Sequence, residues 1–96
     1  MRRSISFQGE LLDARGGGHA IAVDAALVAS LGAKHMTRVA GTVNSTPFRS
    51  SMVRYSGQMY LGVHKETIQA AGAAVGETVR VDMSLDTEPR DGDAKR

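Results

Sequence analysis

Polar side chains that can bind an anion concentrate in the middle of this 96-residue chain. Asn44, Arg49 and Ser51 lie within eight positions of one another, and Arg54 follows. Arginine offers a planar fork of N–H donors to a carboxylate or phosphate, and Asn or Ser adds further donors. On a strand, Arg49 and Ser51 share one face while Phe48 points the opposite way, into the core. These residues predict a site for a small anionic ligand or an acidic partner, centred on Arg49.

A structural role for the same residues is the main alternative. Asn44 can cap a turn, and Arg49 can hold backbone carbonyls at the seam of a barrel. In that case Arg49 contributes to the stability of the fold and not to recognition. The sequence leaves both interpretations open.

Residue patterns typical of enzymes do not occur in the sequence. His19, His35 and His64 are not at metal-ligand spacing, and the chain has no cysteine. No Gly-x-Ser-x-Gly segment is present, and the carboxylates cluster towards the C-terminus, where a buried acid–base pair is not expected. We therefore predict a binding protein without enzymatic activity, cofactor or metal.

Composition indicates one folded domain. Hydrophobic residues make up 42% of the chain, which is typical of a globular protein. The lack of cysteine suits a reducing cytoplasm, and the longest apolar runs are far short of the 18 residues that a membrane span needs. We expect a cytoplasmic protein without membrane contact.

The charge is unevenly distributed along the chain. Residues 34–80 hold six basic and two acidic residues, a formal charge of +4, whereas residues 81–96 hold three basic and five acidic residues, a charge of −2. A mildly basic body favours an anionic ligand. Solvation of strands and helix ends explains the same charges more simply.

Apolar periodicity predicts mainly strands. Alternating residues indicate strands over 4–13, 19–23, 36–43, 48–54, 59–63 and 77–85, with short helices over 25–31 and 65–71. Asp24 is a suitable N-cap, and Gly32 and Gly72 are suitable helix ends. Gly41, in the middle of a strand, predicts a close approach of two backbones or a kink. Turns are expected over 15–18, 44–47 and 55–58, and the polar residues 87–96 are expected to form a flexible tail.

An internal repeat relates the two halves of the chain at an offset of 40 residues. Residues 23–43 align with residues 63–83, with five matched pairs: Val23/Val63, Gly32/Gly72, Ala33/Ala73, Val39/Val79 and Val43/Met83. We therefore predict a single domain over 1–86, built from repeats over about 19–43 and 59–83. Its expected fold is a mainly β, double-split, pseudo-twofold β-barrel of six to seven strands with two short capping helices. Because both halves lie in one chain, a monomer is expected.

In the second repeat, Val63-His64-Lys65-Glu66-Thr67-Ile68 leads through a short helix to Gly72, and Gly76-Glu77-Thr78-Val79-Arg80-Val81 follows. This unit resembles the swapped-hairpin unit of AbrB/MazE-type proteins, although His64 and Glu77 stand where that pattern has Pro and Asp. AbrB-like dimers bind DNA, so the resemblance implies an alternative function as a DNA-binding regulator or antitoxin-like protein. Four aromatic residues are few for a base-stacking surface, and a single chain lacks the dimer symmetry that matches palindromic DNA.

Residues 5–90 resemble a small bacterial family of unknown function, sometimes fused to a YdeI/OmpD-associated domain. The segments that carry the resemblance are Leu31-Gly32-Ala33, Gly41-Thr42-Val43-Asn44, Pro47-Phe48-Arg49, Ser51-Met52, Ala71-Gly72, Val75-Gly76-Glu77-Thr78-Val79, Leu85-Asp86 and Glu88-Pro89-Arg90. Departures are Ser45 where the family has Gly, Asp24 where it has Pro, and Gly62-Val63 where it has Pro-Val. The resemblance implies a double-split barrel and no established activity.

Overall fold

A computed structural model describes residues 4–14 and 18–86 of the chain. Within them the chain forms six strands and two helices: β1 (Ser4–Asp13), β2 (His19–Val23), α1 (Ala25–Leu31), β3 (Arg38–Val43), β4 (Thr46–Tyr55), β5 (Gln58–Val63), α2 (Lys65–Ala71) and β6 (Thr78–Leu85). The predicted class, mainly β with two short helices, is confirmed. The predicted tail over 87–96 and most of the predicted turn over 15–18 lie outside the described residues.

The strands close into an antiparallel barrel in the order β1-β2-β5-β4-β3-β6. β1 and β4 each divide between two neighbours. Residues 4–10 of β1 pair with β6 and residues 11–13 with β2, whereas residues 46–51 of β4 pair with β3 and residues 52–55 with β5. We call the half with β3 and β6 sheet A and the half with β2 and β5 sheet B. The barrel is therefore split twice, once along each long strand.

β1 changes partner at Leu11 and β4 changes partner at Met52, and the backbone hydrogen bonds of these two residues are arranged alike. Leu11 N–H donates to Glu77 O at 2.9 Å and Leu11 O accepts from Gly76 N–H at 2.8 Å. At the other split, Met52 N–H donates to Thr37 O at 2.9 Å, and Met52 O accepts from the N–H of residue 36 at 2.6 Å. Residue 36 is a methionine with a φ of 70°, so β3 begins at Arg38 and not at residue 36 as predicted.

The helices start and stop where the sequence indicates. The Asp24 carboxylate accepts a hydrogen bond from Ala26 N–H at 3.0 Å, and Gly32 and Gly72 end their helices in the left-handed conformation. α1 packs against β1 and β5, and α2 packs against β3 and β4. Each helix is seven residues long, and none in the described part of the chain is long and apolar enough to cross a membrane.

Alternation along the strands places one side of each strand in a common core. The buried residues are Ile5, Leu11, Ile21, Val23, Val28, Leu31, Ala33, Val39, Val43, Phe48, Met52, Met59, Leu61, Val63, Ile68, Val79, Val81 and Met83.

Two hairpins need only two residues each to turn, Asn44-Ser45 and Ser56-Gly57, all four with positive φ. Positive φ at both central residues is the requirement of type I′ hairpins. The first turn is therefore shorter than the predicted 44–47, and β4 begins at Thr46 and not at residue 48.

Candidate functional site

Arg49 lies on the outer face of sheet A and forms an ion pair with Asp86. Its Nε donates to Asp86 Oδ2 at 2.8 Å. The Arg49 side chain is 43% exposed, whereas the Asp86 side chain is only 3% exposed. A buried carboxylate is stable only with paired, hydrogen-bonding partners, so this contact holds the guanidinium in place. Phe48 is buried on the other side of β4, as predicted.

Arg38 and Ser51 share the outer face with Arg49. Arg38 on β3 is the register partner of Ser51, and Asp86 N–H donates to Arg38 O at 2.9 Å. Ser51 follows Arg49 by two residues and so points the same way. The outer face of sheet A therefore carries two guanidinium groups and a hydroxyl group close to one another.

Asn44 lies at a different place on sheet A. Its Oδ1 accepts a hydrogen bond from Arg80 N–H at 2.8 Å, and its own N–H donates to Arg80 O at 2.8 Å. The register partner of Arg49 is Ala40, four residues along β3 from Asn44, or about 13 Å. Asn44 therefore links the turn between β3 and β4 to β6 by two hydrogen bonds, and it does not contact Arg49.

Arg54 lies at the far end of β4, five residues or about 17 Å from Arg49. Its backbone N–H donates to His35 Nδ1 at 3.0 Å. The residue lines a cleft of about 310 Å³ between α1 and the β4–β5 hairpin. Of the four predicted site residues, the structure therefore brings only Arg49 and Ser51 together.

A second ion pair lies on the outer face of sheet A. Arg80 Nε is 3.2 Å from Asp82 Oδ2, and Ser6 Oγ donates to Asp82 Oδ1. The hydrogen bond from Arg80, followed by that from Ser6, lowers the pKa of Asp82 below its ordinary value of 3.8. Arg80 and Asp82 therefore remain charged and paired at neutral pH.

Asp86 is a site residue that sequence reasoning missed. It follows the last strand in a polar run, and only the pairing of β6 with β3 brings it to Arg49. Its place directly after the apolar alternation of residues 79–85 was the available signal.

The histidines do not form a metal centre with carboxylates in the described part of the chain. Across residues 4–14 and 18–86 no group of three or more His, Asp or Glu side chains is arranged to hold a metal ion. The imidazole of His35 accepts its backbone hydrogen bond from Arg54, as a structural histidine does.

A family model described as a domain of unknown function (DUF1905) matches residues 7–83. The chain belongs to this family. The match spans all of the barrel from β1 to β6 apart from a few terminal residues, and it confirms the resemblance to a family of unknown function. No curated protein matches the chain.

Proposed function

We propose that this DUF1905 domain is a non-catalytic cytoplasmic binding module for a small anionic ligand or an acidic partner, and that Arg49 receives the anion. Ser51 and Arg38 would add donors from the same face. Asn44 and Arg54, the other residues predicted for this site, are too far from Arg49 to contact the same small anion.

The observation that carries the proposal is the ion pair between Arg49 and Asp86. The buried carboxylate holds the Arg49 guanidinium in one orientation on an exposed face. A preorganised donor loses less conformational entropy when it binds a ligand. Arg38 is a second guanidinium on the same outer face, and arginine side chains favour an anionic ligand.

The resemblance to AbrB/MazE-type proteins supports a second candidate, a DNA-binding regulator or antitoxin-like protein. DNA affinity comes largely from Lys and Arg side chains that neutralise phosphates. On sheet A, Arg49 and Arg80 each lie against an aspartate, which weakens the attraction for a polyanion. A small anion that fits beside Arg49 is therefore the better supported ligand.

A ligand screen with matched variants tests the proposal. The parent protein and Arg49→Lys are titrated with phosphate, citrate and short acidic peptides, and binding is followed by calorimetry and by backbone amide shifts. We expect shifts around Arg49 and Ser51 and at least a tenfold loss of affinity in Arg49→Lys, because Lys cannot reproduce the planar fork.

Arg80→Lys is the control, since Arg80 is also an exposed, ion-paired arginine of the same sheet. Its affinity is expected to stay within about twofold of the parent. Equal losses in both variants, or no binding of any anion by the parent, would contradict the proposal. Salt-dependent binding of duplex DNA that needs Arg49 would favour the second candidate.

A further inference from the structure

One end of the barrel carries the cleft of about 310 Å³ between α1 and the β4–β5 hairpin, which we call the α1 cleft. It combines apolar surface with polar side chains. Val23, Val28, Ala33 and Met59, which belong to the core, line it together with Ala29 of the helix. Its volume lies at the lower end of the range for pockets that hold one small molecule.

Arg54 is a cation on the core-facing side of β4, where the strand leaves the core. Met52, two residues earlier, shares this side and is buried. The register partner of Arg54 on β5 is Met59, which is buried too. Because Arg54 itself is exposed and lines the α1 cleft, its side chain lies at the mouth of the cleft beside apolar surface.

The Arg54 guanidinium has no anionic partner in the described part of the chain. Arg49 and Arg80 each form an ion pair with an aspartate, whereas Arg54 makes neither an ion pair nor a side-chain hydrogen bond within residues 4–14 and 18–86. Its backbone N–H alone is used, by the hydrogen bond to His35 Nδ1. The positive charge at the mouth of the cleft is therefore available to a ligand.

The barrel does not require a cation at position 54. The backbone hydrogen bonds of Leu11 on β1 and Met52 on β4 are arranged alike, so the positions two residues further on are equivalent in the two halves of the barrel. Those positions hold Asp13 and Arg54. The same architecture accepts either sign of charge, so the guanidinium is a property of the α1 cleft and not of the fold.

Gln58 is the other polar side chain that lines the cleft, and its N–H groups are already used. Its Nε2 donates to Val23 O and to Met59 O, both at 2.9 Å. A side-chain amide has two N–H donors, so none is left for a ligand. Arg54 is therefore the only side-chain donor among the described residues that line the cleft.

These features define the chemistry of the ligand. One guanidinium matches one carboxylate, and a ligand with several negative charges would find no second cation along the cleft. The remaining surface is that of aliphatic side chains and a methionine, without an aromatic ring to stack on. A hydrocarbon chain therefore matches the cleft better than a ring system does.

We propose that the α1 cleft binds a short aliphatic carboxylate, with the carboxylate on the Arg54 guanidinium and the hydrocarbon chain against Val28 and Met59. This site is separate from the anion site at Arg49, which lies about 17 Å away along β4. The proposal therefore stands or falls independently of that function.

Three probes test this inference on the full chain. Hexanoate, butanoate and hexanol are titrated at neutral pH and constant ionic strength, and binding is followed by backbone amide shifts. We expect saturable shifts at Ala29, Gly57 and Met59 with hexanoate and none at Thr42 or Ser84 on sheet A. Butanoate should bind at least threefold more weakly, because it buries less apolar surface. Hexanol should bind at least tenfold more weakly, because it carries no charge for the guanidinium.

Arg54→Gln removes the charge from an exposed position and should weaken hexanoate binding at least tenfold while leaving hexanol binding unchanged. Arg80→Gln is the matched control, since Arg80 is an exposed arginine of sheet A and its loss changes the net charge by the same amount. The affinity of this control for hexanoate should stay within about twofold of the parent.

Ala29→Leu fills the cleft from the helix with a residue that suits helices, and it should weaken hexanoate binding at least tenfold. Ala26→Leu is the same exchange at an exposed residue of α1 that does not line the cleft, and it should bind as the parent does. Parent-like binding in Arg54→Gln, or hexanol binding as tight as that of hexanoate, would overturn the proposal. Absence of hexanoate binding, or shifts only around Arg49, would overturn it as well.

Discussion

At the scale of single residues, the ion pair between Arg49 and Asp86 connects stability with recognition. The carboxylate is almost completely buried and the guanidinium is half exposed. The same contact can brace β4 against the end of β6 and hold a donor ready for an anion. The two roles differ in what the loss of Arg49 does to folding.

If Arg49 braces the barrel, Arg49→Ala leaves the Asp86 carboxylate with one charged partner fewer. We expect the free energy of unfolding in urea to fall by ~1–3 kcal/mol, less than for a fully buried pair because Arg49 is partly in water. Adding Asp86→Asn should restore part of the loss, since the buried charge is then removed too. If Arg49 serves recognition alone, Arg49→Ala keeps the parent's stability and loses only anion binding.

At the scale of the elements, Gly41 determines how closely β3 approaches β6. Gly41 is the register partner of Met83, and a Cβ on Gly41 would lie 1.8 Å from Asp82 O and 2.7 Å from Met83 Cα. Both atoms belong to the backbone, so no side-chain rotation relieves the clash. The close approach that the sequence predicted at this glycine is confirmed.

Gly41→Ala and Gly62→Ala form a matched pair of strand glycines. We expect Gly41→Ala to lower the free energy of unfolding by about 2–3 kcal/mol, because β3 and β6 must move apart to admit the methyl group. Gly62→Ala should leave stability unchanged or raise it by ~0.5–1 kcal/mol, because its Cβ has room and the unfolded chain loses freedom. Urea titrations of both variants measure the difference, and equal effects would show that β3 can shift without cost.

At the scale of the whole molecule, closure of the barrel gives every described strand its hydrogen-bonding neighbours within one chain. Each of the six strands has a hydrogen-bonded neighbour on both sides. An open edge is the usual place where a sheet recruits a second chain, and the described barrel has none. The outer faces and the ends of the barrel remain as the surfaces available for binding.

We therefore expect the protein to be a monomer of 10.2 kDa in solution. Light scattering after size-exclusion chromatography, over a wide range of loading concentrations, measures this directly. A mass that stays at twice the monomer value on dilution would mean that strands exchange between two chains, contrary to the pairing described above.

Local physics allowed most of the secondary structure to be predicted from the sequence. Alternation of apolar residues, the Asp24 cap and the glycines at 32 and 72 each act within a few positions of the chain, so the strands and helices were recognisable without any tertiary contact. The buried position of Phe48 and the outward direction of Arg49 followed from the same alternation.

Only the tertiary structure decided which residues meet across the barrel. Asp86 reaches Arg49 because β6 pairs with β3, and Ala20 meets Gly62 because β2 pairs with β5, strands about 40 residues apart in the chain. Asn44 and Arg54 are near Arg49 in sequence but extended backbone carries each of them more than about 10 Å away. Register between distant strands depends on closure of the whole barrel and not on any local pattern, so the partner of Arg49 could not be found in the sequence.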